Sequence, residues 1–148
     1  MARLKLDFPE PVIFATELEV RADSINYGGH VGNDRFLSLA QEARIRLFRA
    51  LGYKNEAGMA GHIGVILTDA ALIYKSQLFL GDQLCIEMSL TDMNKYGFDF
   101  YYRILNLTSE KLGAIIKTGV IGFDYDIEKI CPFPQEFFKR LENINADQ

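Results

Sequence analysis

The chain has 148 residues, 49% hydrophobic and 24% charged, with a formal charge of −4. That length suits a single domain over 1–148 that buries a core without disulfides or metal, and the acidic balance speaks against a nucleic-acid partner, which calls for a basic field. No apolar run approaches the roughly 20 residues of a membrane helix, and Met1–Glu10 mixes charges with Pro9 where a secretory signal would be apolar, so a cytoplasmic protein without a membrane partner is expected.

Val12–Val20 follows Pro9 and Pro11 and reads as a strand. Arg21–Gly32 is a polar, glycine-rich connection. Asn33 is placed to cap a helix and Asp34 to sit in its first turn, where a negative charge suits the helix dipole. Phe36, Ala40, Ala43, Leu47 and Ala50/Leu51 then recur at helical spacing, and Gly52 ends the pattern. Leu37, Leu39 and Phe48 widen the stripe, which predicts a central helix covered over more than half its circumference.

The remainder reads as strands: Ile63–Gln77, Leu84–Thr91 after a Gly81-Asp82 turn, Phe98–Leu105 with two alternating faces, and Leu112–Asp126 after the polar Thr108–Lys111 turn. Gly119 and Gly122 mark bends in the last of these, Pro132 and Pro134 close the sheet, and Gln135–Leu141 predicts a short end helix. One strand, a buried helix and four strands make an α+β pattern, with an antiparallel sheet curved around the helix. Cys85 and Cys131 are far apart and lack metal-ligand spacing, so two free thiols and no metal site are expected.

The stretch with chemical potential is Asn26-Tyr27-Gly28-Gly29-His30-Val31-Gly32-Asn33-Asp34. Its glycines allow backbone to approach a ligand just before a helix start, where free amides favour negative charge. Val20-Arg21, Gly29-His30-Val31-Gly32-Asn33 and Gln41-Glu42-Ala43-Arg44 together resemble the motif run of hotdog-fold acyl-CoA thioesterases of the 4-hydroxybenzoyl-CoA thioesterase type. Tyr74 and Gly81-Asp82 continue the same order, and the resemblance spans Val12 to Asp126.

That resemblance implies a five-stranded antiparallel sheet wrapped around one long central helix. It also implies homodimers with joined sheets and active sites at the subunit interface, some paired into homotetramers. The substrate would be an acyl-CoA or acyl-carrier-protein thioester, and coenzyme A would be part of that substrate, with no separate cofactor. One departure bears on mechanism. Asn26 stands where many relatives carry a catalytic aspartate, and Gly32 replaces the first asparagine of an Asn-Asn pair. An amide neither accepts a proton as a general base nor attacks as a carboxylate does.

Thioester hydrolysis needs an activated water and donors aimed at the developing oxyanion. The expected donors are the amides of Val31, Gly32 and Asn33, approached past Gly28 and Gly29, with Tyr27 at the entrance. His30 would polarise the carbonyl or position water; its other reading is a backbone-bonded residue that locks the loop. Asn26 would hold the water or the thioester oxygen, unless it serves only the turn. Asp34 is the first candidate for the missing carboxylate, against a plain helix-dipole role. Glu42 is another, against an i,i+4 pair with Arg46, and a partner-subunit carboxylate stays open. His62 reads as structural. Coenzyme A phosphates would meet cations among Arg44, Arg46, Arg49, Lys54, Lys75 and Lys95. The alternative function is a non-hydrolytic acyl-thioester-binding protein, and a dehydratase ranks lower because its proline-containing motif is absent.

Overall fold

The two-faced alternation of Phe98, Phe100, Tyr102 and Ile104 becomes the middle of the sheet in the computed structural model, which describes residues 1–146. The last two residues of the domain expected over 1–148 lie outside the described residues. Strands β1 (Phe14–Glu19), β2 (Ile63–Tyr74), β3 (Gln83–Thr91), β4 (Gly97–Asn106) and β5 (Lys111–Asp124) pair antiparallel in the order β1-β3-β4-β5-β2. The expected five strands are present, and β3, β4 and β5 are successive hairpin neighbours.

A sixth strand, β6 (Lys129–Cys131), pairs with Gly122–Asp124 of β5 just past the point where β4 begins. Sequence reading missed it because three residues before Pro132 carry no periodicity. β2 stops at Tyr74, short of the expected Gln77, because the Lys75 and Ser76 amides both turn to the Gly113 carbonyl. The end helix, α2 (Glu136–Ala146), runs past the expected Leu141. It closes one end of the core by placing Phe137 within 5.3–5.6 Å, ring to ring, of Phe133, Phe48 and Phe98.

The central helix, α1 (Arg35–Ala50), buries Phe36, Leu39, Ala40, Ala43, Arg44, Leu47 and Phe48 against the sheet. Each large apolar side chain on that face contributes about 1.5–3 kcal/mol when fully buried. Leu37 does not join them. It is 39% exposed, on the side that also carries the exposed Ser38, Gln41 and Glu42, so the covered face is narrower than the sequence pattern predicts. The helix also starts later than expected. Asp34 occupies the cap position in helical conformation without a side-chain cap bond, and Asn33 precedes it, so neither caps the helix through its side chain. At the other end Gly52 has φ 89°, its amide bonds Arg49 O, and the Tyr53 amide bonds Phe48 O. Those two bonds satisfy terminal carbonyls while the Tyr53 ring packs 5.9 Å from Phe48.

One charge crosses this core. Arg44, 4% exposed, donates through Nε to Glu56 and through Nη1 to the Tyr102 hydroxyl at 3.0 Å, which shares a 2.9 Å bond with Thr118 Oγ1. Burial works against the guanidinium charge, but Tyr102 and Glu56 outweigh it, and the Arg44 pKa is raised. The network joins α1, the loop after it and the middle strands.

Two features shape the sheet's other face. Leu67 faces Val120 and Asp69 faces Gly119, leaving Thr68 as an extra, unpaired residue in β2. Gly119 accommodates it: an added Cβ there would stand 2.4 Å from Thr68 Oγ1 and 2.7 Å from Asp69 Oδ1. Ahead of β1, residues 3–10 cross the outer face along the row Glu87–Arg103–Ile115–Ile73. Phe8 lies 4.2 Å from the Arg103 guanidinium, Glu10 pairs with the same arginine at 3.3 Å, and Arg3–Asp7 line a cleft with Leu72–Lys75.

Candidate functional site

The loop before α1 is held by hydrogen bonds within itself and by two to the segment around the end of β2. After a single 3-10 turn at Ala22–Ser24, Ile25 and Val31 form a bridge, the Asn26 amide donates to His30 O at 2.9 Å, and the Gly29 amide donates to Asn26 O at 3.1 Å. Asn26 Oδ1 accepts from the Gly28 amide at 2.9 Å. This is the asparagine turn that residue type favours. Gly29 has φ 80°, a conformation suited to glycine, and both Gly29 and Tyr27 project into solvent.

His30 Nδ1 lies 3.2 Å from Val31 O. A carbonyl only accepts, so this bond puts the proton on Nδ1 and leaves Nε2 with a free lone pair. An added Cβ at Gly28 would stand 3.1 Å from His30 Nε2 and 3.3 Å from Asn26 Oδ1. The unprotonated nitrogen and the amide oxygen therefore converge on one point of the loop.

The amides expected to bind an oxyanion divide into two groups. The Val31 amide donates to Leu78 O at 2.9 Å and the Gly32 amide to Ser24 O at 3.1 Å, so both hold the loop in place and neither is free. The Asn33 and Asp34 amides have no partner among the described hydrogen bonds. The amides left without a partner, Asn33 and Asp34, thus lie one to two residues later than the expected set, as the helix itself starts later. Tyr74, at the end of β2, secures this position: its hydroxyl donates to Asn33 O at 3.0 Å, and its ring meets Phe36 edge-on at 5.1 Å.

A cavity of about 320 Å³ opens at this point, lined by His30, Val31, Asn33, Phe36, Tyr74, Lys75, Ser76 and Gln77. It unites four of the sequence-predicted residues, His30, Val31, Asn33 and Lys75, with Phe36, Tyr74, Ser76 and Gln77, which sequence reading did not connect to the loop. Tyr74, noted only for its order in the chain, was the available signal.

Among the described residues, no carboxylate lines the cavity. The Asp34 side chain is 77% exposed, 3.9 Å from Arg35 Nε and folded back over Gly32. Glu42 lies in a separate cleft with Asp23, Arg21 and Ser38, and accepts from Arg46 Nε at 3.0 Å. Glu42 thus does not line the cavity that holds His30, and its described partner is Arg46. Of the cations expected to meet phosphates, Arg44 is consumed in the core, Arg46 is tied to Glu42, Thr16 and Glu17 O, and Lys75 lines the cavity. His62 does have a partner, Asp126 at 3.0 Å, far along the sheet on the turn after β5. Cys85 and Cys131 are free thiols, no group of metal-ligating side chains occurs among the described residues, and no helix there is long and apolar enough to cross a membrane.

The profile of the thioesterase-like superfamily matches residues 20–141. A comparison with curated protein sequences returns no significant match. Among solved structures, the chain is similar to a 1,4-dihydroxy-2-naphthoyl-CoA thioesterase from Synechocystis at 20% identity and TM-score 0.79, covering 89% of this chain and 97% of that one. It is also similar to a DHNA-CoA thioesterase from Staphylococcus aureus at 20% identity and TM-score 0.73, covering 90% and 93%. A gentisyl-coenzyme A thioesterase gives 16% identity and TM-score 0.75, covering 86% and 99%. At these identities the likeness is one of fold.

Proposed function

The chain belongs to the thioesterase-like superfamily and has the hotdog fold, and from that premise we propose that it is an acyl-thioester hydrolase acting through the loop before α1. The observation that carries this reading is the pair of neighbouring unpartnered amides, Asn33 and Asp34, of which Asn33 lines a cavity walled by Phe36 and Tyr74. The acyl group lies against those rings. Its carbonyl oxygen turns to the amides, which stabilise the negative charge that develops as water attacks. His30 Nε2 accepts the proton of that water, Asn26 orients it, and the thiolate leaves and takes up a proton to give free thiol and carboxylic acid. No separate cofactor enters the scheme. Asp34 contributes its amide in this scheme, while Gly28, Gly29 and Gly32 let the substrate approach and Tyr27 stands at the entrance.

The three similar enzymes above are described as acting on coenzyme A thioesters of aromatic acids, which favours acyl-CoA as the substrate here. A homodimer is part of the reading: β2 is an edge strand that exposes Ile66, Leu67 and Tyr74, and a second copy would cover them and complete the cavity wall. Pairing of dimers into tetramers, a cytoplasmic location and one domain over the full length belong to the same proposal.

One observation favours a second reading. A pocket without a carboxylate of its own, with Asn26 at the loop, suits a protein that binds acyl thioesters without cleaving them. Free-thiol release from a panel of aromatic and aliphatic acyl-CoAs separates the two. Turnover that falls at least about a hundredfold in His30→Ala supports hydrolysis by this site. Tight binding of acyl-CoA with no thiol release from any member supports the binder.

A further inference from the structure

The segment ahead of β1 has no part in the core, yet its sequence alternates with strand-like regularity. Leu4, Leu6 and Phe8 share one parity, and Arg3, Lys5 and Asp7 the other. Leu6 and Phe8 are half-buried on the sheet, which turns Arg3 and Lys5 outward, and both are exposed. With Leu72–Lys75 these residues line a cleft of about 650 Å³. Its charged groups are Arg3, Lys5 and Lys75 against Asp7. The other two clefts described away from the thioester cavity are acidic on balance, holding Glu19, Asp23 and Glu42 against Arg21 and Arg46 in one, and Asp92 and Asp99 in the other. In a chain of net charge −4, a locally cationic cleft is a departure from the average field. None of its three cations takes part in an ion pair among the described residues.

Position gives this charge a meaning. The cleft shares Tyr74 and Lys75 with the cavity next to His30 and Asn33. A ligand whose reactive end lies on Phe36 can therefore continue past Lys75 into the cationic cleft. We propose that the N-terminal strap, through Arg3 and Lys5 together with Lys75, cradles the phosphates at the nucleotide end of a coenzyme A thioester, so that the chain selects coenzyme A esters over carrier-protein esters. The proposal rests on the thioester site described above and adds which thiol carrier it accepts. Several cations on one short extended segment suit a multiply charged, flexible phosphate arm, and their attraction weakens with added salt.

The test titrates coenzyme A and pantetheine, the same thiol arm without the nucleotide, into wild type and into Arg3→Gln/Lys5→Gln by calorimetry. Both side chains are exposed and make no described bond, so the variant retains the fold. Wild type is expected to prefer coenzyme A, and the variant to lose about tenfold in coenzyme A affinity, a few-fold for each exposed ion pair, with pantetheine unaffected. Raising salt should erase the same preference. Equal binding of the two ligands by wild type, equal weakening of both in the variant, or no binding of coenzyme A at all overturns the cradle, as does faster hydrolysis of an acyl-carrier protein than of the matching acyl-CoA. Failure of the hydrolase reading looks different: coenzyme A binding and its loss in the variant persist, while no acyl-CoA releases thiol.

Discussion

The buried Arg44 makes a quantitative prediction through Arg44→Met, Tyr102→Phe and the double substitution. Tyr102→Phe removes the hydroxyl that accepts from Nη1 at 3.0 Å and leaves that N–H facing a ring in a fully buried site. A buried donor without a partner costs about 1–3 kcal/mol. Arg44→Met keeps the apolar stem but strands the Glu56 carboxylate, and breaking a buried pair costs about 3–5 kcal/mol. Glu56 has a side chain 23% exposed, so water recovers part of its solvation and the lower end, about 3 kcal/mol, applies. In the double substitution the Arg44–Tyr102 bond is lost only once, and the combined loss should fall short of the sum by about 1 kcal/mol. Urea titrations of the four proteins at equal m-value measure this directly. Losses that add within about 0.5 kcal/mol, or an Arg44→Met protein as stable as wild type, would show that the guanidinium is not held as described.

Three further outcomes follow from other positions. Asn26→Asp supplies a carboxylate beside His30 Nε2 and should raise thiol release about tenfold or more; unchanged turnover with unchanged acyl-CoA affinity would mean that binding is the evolved role or that another base already acts. Gly97→Ala sets a Cβ 1.9 Å from the Val120 carbonyl oxygen, a backbone atom that cannot swing aside, and should cost roughly 3 kcal/mol or more, seen as a melting shift by circular dichroism. Burial, then the charges of Glu87 and Glu17, push the Cys85 thiol up, and burial followed by Asp124 does the same for Cys131. Since the thiolate is the nucleophile, both should alkylate more slowly than free cysteine at pH 7 and accelerate as pH rises through the raised values; rapid labelling of either at neutral pH, read by mass spectrometry, contradicts this.

Much of the architecture is readable from residue order because its signals are periodic. The three- and four-residue spacing from Phe36 to Leu47 marks the buried face of α1, and the alternation from Phe98 to Ile104 marks the inward face of β4. What escapes reading is set by non-local partners. Val31 and Gly32 look like free amides in a glycine-rich loop until the chain brings Leu78 and Ser24 to them. Arg44 looks like a surface cation until Tyr102, 58 positions later, is found beside it. Glu42 reads from spacing first as an ion-pair partner of Arg46 and second as a base, and only the folded helix shows that its cleft is separate from the cavity beside His30. The strap is legible as an alternating segment, but nothing local says that it crosses the sheet and ends beside Tyr74.

The unpaired Thr68 has a bearing on self-association. Because one residue is inserted, the two halves of β2 are out of phase with each other along their free edge. β5 keeps its own alternation across this point, with Asp124–Val120 facing Ile63–Leu67 and Gly119–Ala114 facing Asp69–Tyr74, so the extra residue bends and twists β2 locally without ending its pairing, and the free edge is not flat. A bent, twisted border suits flat edge-to-edge stacking less well than a straight one. That single insertion works against the exposed Ile66 and Leu67 becoming a seed for fibres.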